Sequence, residues 1–220
     1  MKNHSDIVQI AGYVKSWKAI SKCLEQADSI FSAEITFPVT CDFPMEISKD
    51  EKDPGYWVAA YLGYRDKKLC LILIQCSKDR LERYERDDAE LAKDLKIIEA
   101  KELLISDPIE ESEAMSRMDN WKKTDLRMQT MKECGYAPQI FMVPAEHFLI
   151  AGALNLHFGL KKSTKEEDKY AYYFDLLFEI EDENGVNYTG YYDTSRPVPP
   201  FKPRIEGFFE LGLNMFADQI

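Results

Sequence analysis

The sequence predicts an α+β fold: a mixed or antiparallel sheet built from at least two β-hairpins, packed by an N-terminal helix, two central helices and a short C-terminal helix. Three observations carry this expectation. Apolar residues near the amino terminus recur at three- and four-residue steps, the period of a helix with one buried side. Residues 56–75 hold two apolar runs parted by a short polar turn, the pattern of a hairpin. Tyr170 to Ile180 then alternates strictly, and Asn184-Gly185 follows it as the strongest short-range turn signal in the chain.

The elements follow in order. Ser5 is a candidate cap for the first helix, whose apolar side is Ile7, Ile10, Ala11, Val14, Trp17, Ile20 and Leu24, with Asp28 and Ser29 marking its exit. Ile35, Phe37 and Val39 alternate with Thr36 and Thr40 as a strand, and Pro38, which has no N–H to give a ladder, places it at an edge. Tyr56 to Tyr64, the polar turn Arg65 to Lys67 and the apolar run Lys68 to Gln75 make the first hairpin; a run so apolar belongs in the middle of a sheet covered on both faces. Lys78 to Ile105 is predicted as a charged helix with a narrow apolar stripe through Leu81, Tyr84, Leu91, Leu95 and Ile98, supported by pairs such as Glu82–Arg86. Asp107-Pro108 ends it. A second central helix runs to Cys134 with Met115, Met118, Trp121, Leu126, Met128 and Met131 as core candidates and Gly135 as its stop.

Gln139 to Val143 reads as a short strand. Leu154, Leu156, Phe158 and Leu160 alternate with Asn155, His157 and Gly159 as another. In the strand from Tyr170 to Ile180, Tyr170, Tyr172, Phe174, Leu176, Phe178 and Ile180 share one face. Val186 to Asp193 is predicted to return as its hairpin partner, which sets Glu181 opposite Tyr188 and Leu177 opposite Tyr192. Pro197, Pro199, Pro200 and Pro203 form an extended connector, and Ile205 to Phe216 a final short helix. The whole reads as one α+β domain over residues 1–220, with Asp107 the place where it would divide into two lobes.

Charge narrows the function classes. The chain carries 28 basic and 39 acidic residues, a formal net charge of −11. Of these, 16 basic and 21 acidic fall in the first 110 residues, so the acidity is distributed and is not an appended tail. Such a surface repels phosphates, which argues against direct binding of nucleic acid, and it speeds encounter with a basic partner. The five cysteines, Cys23, Cys41, Cys70, Cys76 and Cys134, are odd in number and lack CxxC spacing, while no apolar run is long enough to span a bilayer. The expected setting is the reducing cytoplasm.

No motif for chemistry emerges. His147 and His157 stand ten apart, which is not metal-ligand spacing, and Cys134 with either histidine lacks any third orienting group. No catalytic residue, metal or cofactor is therefore expected. Asp175, Glu179 and Glu181 share the strand face opposite Tyr172 and Phe178, the arrangement of a solvated strand face in an acidic protein. Tyr170, Tyr172, Tyr173, Tyr188, Tyr191 and Tyr192 all fall on the second hairpin, more tyrosine than one core face needs, and tyrosine suits interfaces because one end tolerates water. The expected partner-binding patch is Tyr173, Tyr188, Tyr191, Tyr192 and Asp193 with Asp175, Glu179 and Glu181. The function expected is a non-enzymatic acidic protein, of inhibitor or immunity type, that engages a basic protein partner. The alternatives are a hydrolase whose site gathers dispersed carboxylates with His147 or His157, and an oligomeric scaffold packing Phe208, Phe209, Leu213 and Phe216 between subunits.

Overall fold

A computed structural model describes residues 4–32, 35–40, 48–50, 53–86, 90–99, 101–102, 112–135, 137–145, 153–163, 170–181, 196–198 and 212–220. In chain order the elements are α1 (His4–Ile20), α2 (Leu24–Phe31), β1 (Ile35–Thr40), a 3-10 turn (Pro54–Tyr56), β2 (Trp57–Arg65), β3 (Lys68–Gln75), α3 (Leu81–Glu85) and α4 (Leu91–Asp94). There follow β4 (Lys96–Glu99), β5 (Lys101–Glu102), α5 (Ser112–Lys122), α6 (Thr124–Cys134), β6 (Ile140–Pro144), β7 (Ala153–Lys162), β8 (Tyr172–Glu181), β9 (Arg196–Val198) and α7 (Gly212–Gln219). Every strand pair is antiparallel. One sheet has the order β5-β1-β7-β8, the other β4-β3-β2-β6-β9, and β1 lies beside β4 while β8 lies beside β9. The predicted α+β class is the observed one.

The first hairpin forms as expected. Its ladder runs from Val58↔Gln75 to Arg65↔Lys68 and closes through Asp66 and Lys67, whose φ angles of 49° and 64° make the primed turn that suits the twist of a hairpin. β2 and β3 are both interior strands, and both faces are buried. Val58, Ala60, Leu62, Leu69, Leu71 and Leu73 point between the sheets, where they meet Phe37, Leu156, Phe158, Leu160, Phe174 and Leu176. Trp57, Ala59, Tyr61, Cys70, Ile72 and Ile74 point the other way, into a second core closed by Ile7, Ala11 and Val14 of α1, Tyr84 of α3 and Leu213, Phe216 and Ala217 of α7. The helix α1 therefore serves both cores, because Trp17 and Ile20 at its end turn into the first. An aromatic chain continues from there: Trp17 meets Phe31 edge-on at 5.1 Å, Phe31 meets Trp121 at 4.9 Å, and Trp121 stacks on Phe158 at 4.9 Å.

Several expectations are corrected. The helix predicted over Lys78 to Ile105 is two short helices followed by two strands. The register Leu71↔Ile98 and Ile72↔Ile97 shows why: β3 would otherwise present an apolar edge, and pairing it outweighs the helical propensity of a charged segment. The first helix ends at Ile20 and a separate α2 starts at Leu24, so Asp28 lies within a helix and not at an exit. The second central helix breaks at Lys123, whose ψ of 105° is extended. Its buried positions are Ala114, Arg117, Trp121, Arg127, Thr130 and Met131, with Leu126 and Met128 only half-buried. β7 pairs with β1 from Thr36 to Thr40, but β5 covers only Ile35 and Thr36, so among the described residues Pro38 sits where the strand has a ladder on one side. Pro197 belongs to β9, not to a free connector. Gly135 ends α6 at φ 85°, as expected of a left-handed cap. The expected strand Val186 to Asp193, Pro108, and residues 205–211 lie outside the described residues. Leu213 and Phe216 are buried against their own chain, which removes both from the surface that an oligomeric scaffold would need.

Candidate functional site

The strands β7 and β8 pair along their whole length, from Ala153↔Glu181 to Lys162↔Tyr172. Alternation sends Leu156, Phe158, Leu160, Phe174 and Leu176 between the sheets. Asn155, His157, Gly159 and Lys161 of β7 then share the outer face with Tyr173, Asp175, Leu177 and Glu179 of β8.

That face is not the solvated one expected. Asp175 is 2% exposed, Glu179 7% and His157 5%. The cause is α5, which packs against β7 and brings Arg117 to the strand pair. Arg117 Nη1 lies 2.8 Å from Asp175 Oδ2, and its Nη2 reaches Glu113 Oε1, one turn back on the same helix, at 2.5 Å. Asp175 Oδ1 accepts the Leu176 N–H at 2.9 Å. Gly159, opposite Asp175 in the ladder, leaves room for this approach: a β-carbon there would stand 3.1 Å from a Leu177 methyl and 3.2 Å from Arg117 Cβ. Two residues along, His157 Nε2 is 2.7 Å from Glu179 Oε2. A buried guanidinium and an imidazole thus answer two of the carboxylates, as burial of charge requires.

The structure therefore separates the eight residues of the expected patch. Asp175 and Glu179 are turned inward and held by the chain itself. Tyr173 is half-buried, edge-on to Tyr170 with ring centres 6.0 Å apart. Glu181 closes β8 opposite Ala153. Tyr188, Tyr191, Tyr192 and Asp193, with their predicted cross-strand partners, lie outside the described residues, as does His147.

Two more polar centres were missed by sequence reasoning. Asp79, 2% exposed, accepts hydrogen bonds from the Tyr61 hydroxyl, from the Tyr84 hydroxyl at 2.9 Å and from the Leu213 N–H at 2.8 Å. Burial first, and then the Asp79 charge, push the ionisation of both tyrosines well above the ordinary range; the same two causes raise the Cys76 thiol. Arg127 is the third centre. Its Nε donates to Asp28 Oδ1 at 2.7 Å, its Nη1 to the Trp121 carbonyl at 2.5 Å, and its guanidinium lies 5.6 Å from the centre of the Trp121 ring. A signal for Arg117 did exist: Ala114, Arg117 and Trp121 recur at helical steps, so one side of α5 was due to be buried with a charge on it.

Chemically, a histidine held by a carboxylate is the base-and-orienter half of many acid–base sites. Among the described residues no cluster of three histidine, cysteine or acidic side chains could hold a metal ion. Cys70 and Cys76 are buried, as their place in the apolar run implied, whereas Cys23 is exposed. No helix among the described residues is long and apolar enough to cross a membrane. In comparisons with known proteins the chain matches no family model, no curated protein and no solved structure.

Proposed function

We propose that the chain is an acidic binding protein of inhibitor or immunity type that acts in the cytoplasm by engaging a basic protein partner, and that it does not bind nucleic acid. The observation that supports this reading most is how the charge divides between interior and remainder. Among the described residues the buried charges are Asp28, Asp79, Asp175 and Glu179 against Arg117 and Arg127, a net of −2, so −9 of the formal −11 falls on the other residues. The interior takes up only a small part of the acidity, and the other residues keep an acidic excess suited to steering a basic partner. With Asp175 and Glu179 committed inside the chain, the recognition patch narrows to Tyr173, Glu181, Tyr188, Tyr191, Tyr192 and Asp193. Recovering a partner from low-salt extract and measuring its association rate tests the reading. The rate is expected to fall roughly tenfold or more between low salt and about 0.15 M ionic strength. Tyr191→Ala with Asp193→Ala should weaken binding while the circular dichroism spectrum is unchanged. A rate indifferent to salt and to both substitutions removes the proposal.

A second reading, a hydrolase using dispersed carboxylates and a histidine, is favoured by the single contact between His157 and Glu179. Under that reading His157→Gln abolishes turnover of a small ester or glycoside panel and leaves partner binding intact; under the binding reading no turnover exists to lose.

A further inference from the structure

The helix α7 is eight residues long, too short to persist as a helix without packing. It lies across α1 and α3 and buries three apolar side chains, Leu213, Phe216 and Ala217, with Phe216 stacked on Tyr84 at 5.6 Å. Its later turns are tied to the body by Lys18 with Asp218 at 2.5 Å and Gln219 with Glu85 at 3.3 Å, exposed pairs of the kind that contribute little. Its first turn is held differently. The Leu213 N–H, one of the amides that a helix start leaves without an intrahelical partner, donates to the buried Asp79 carboxylate, where the helix dipole also favours a negative charge.

The two tyrosine donors to Asp79 belong to the body of the protein, Tyr61 to β2 and Tyr84 to α3. If α7 departs, Asp79 therefore keeps both tyrosine hydroxyls and gives up the Leu213 N–H. The receiving site stays assembled while the helix is away, and opening disturbs none of the strand ladders. We propose that α7 is a latch that opens and closes as a unit on the folded protein, with Asp79 as its catch, and that opening bares the apolar flank formed by Ile7, Ala11 and Tyr84.

Native-state hydrogen exchange on the full chain, followed through low urea concentrations, tests this. Amides of residues 215–219 are expected to exchange through an opening with a weaker urea dependence than Leu71 and Ile72 in the central ladder. Asp79→Asn keeps the shape of the side chain but turns one acceptor into a donor and removes the charge. It should speed exchange of the α7 amides by about tenfold and the ladder amides by at least as much, because global unfolding breaks the same bond. Leu71→Ala, by contrast, should speed the ladder amides and leave the α7 amides within about twofold. Phe216→Ala, a change on the helix itself, should act as Asp79→Asn does and serves if that variant folds poorly. Exchange of α7 and of the ladder with one common rate and urea dependence, in the unaltered protein or in any variant, overturns the proposal.

Discussion

Two antiparallel strand pairs of similar length solve the burial of a second face in opposite ways. In β2–β3 both faces are largely apolar, and helices cover the outer one mainly with hydrocarbon. The Asp79 carboxylate held by Tyr61 and Tyr84 is its one charged element among the described residues. In β7–β8 the inner face is apolar, but the outer face buries His157, Asp175 and Glu179, and the helix packed there supplies Arg117. The difference lies in what each solution tolerates. Hydrocarbon burial degrades in proportion to the volume removed, because neighbouring side chains relax into part of the space. Buried charge is conditional on its partner, because one ion without the other bears its full desolvation cost. The second strand pair should thus be stable only as a set.

Four experiments break or sharpen that contrast. The largest effect is expected from Arg117→Met, which takes the guanidinium away from Asp175 and should cost about 3–5 kcal/mol in urea unfolding. Adding Asp175→Leu should return most of that loss; a double variant as unstable as the single would show that the strand pair does not depend on its ion pair. Leu71→Ala in the central ladder should cost about 2–5 kcal/mol, with no second-site substitution able to restore it by removing a partner. The third concerns alkaline pH, where the two regions should part company. Tyr61 and Tyr84 ionise well above their ordinary range in the folded state. The unfolded chain releases these protons from about pH 10 upward while the folded chain keeps them, so stability is complete below that pH and falls above it by about 1.4 kcal/mol per pH unit for each tyrosine. Cys76 adds a similar loss from about pH 8.5. Tyr61→Phe should flatten the slope by one group's share, read from unfolding midpoints against pH. The smallest effect is a gain. Lys67 sits at φ 64°, so Lys67→Gly should stabilise the hairpin turn by roughly 0.5–1 kcal/mol, seen as a raised unfolding midpoint.

The first hairpin and the β7 and β8 alternation were legible because their causes are local: a period of two, and a turn between two apolar runs. The segment from Leu81 to Glu102 was not. Its charges favour a helix in isolation, and only the open edges of β3 and β1, supplied by residues distant in sequence, make strands of Lys96–Glu99 and Lys101–Glu102. The same limit governs the site. Alternation correctly placed Asp175 and Glu179 on one face, but it names a face without naming its cover. Arg117 drew no attention among the apolar core candidates of its helix, because its partner Asp175 lies on a distant strand. Asp79 fell at the start of the segment read as a charged helix, and its role depends on Leu213, 134 positions away.

Gly159 sets the thickness of this arrangement. With hydrogen at that position, the α5 backbone can settle at the distance where one guanidinium spans from Glu113 to Asp175. A single methyl would act as a wedge, moving neither a charge nor a donor yet lifting the helix or displacing Leu177. The chemistry of the outer face is thereby metered by the smallest side chain on it, and spacing there constrains the chain as firmly as charge does.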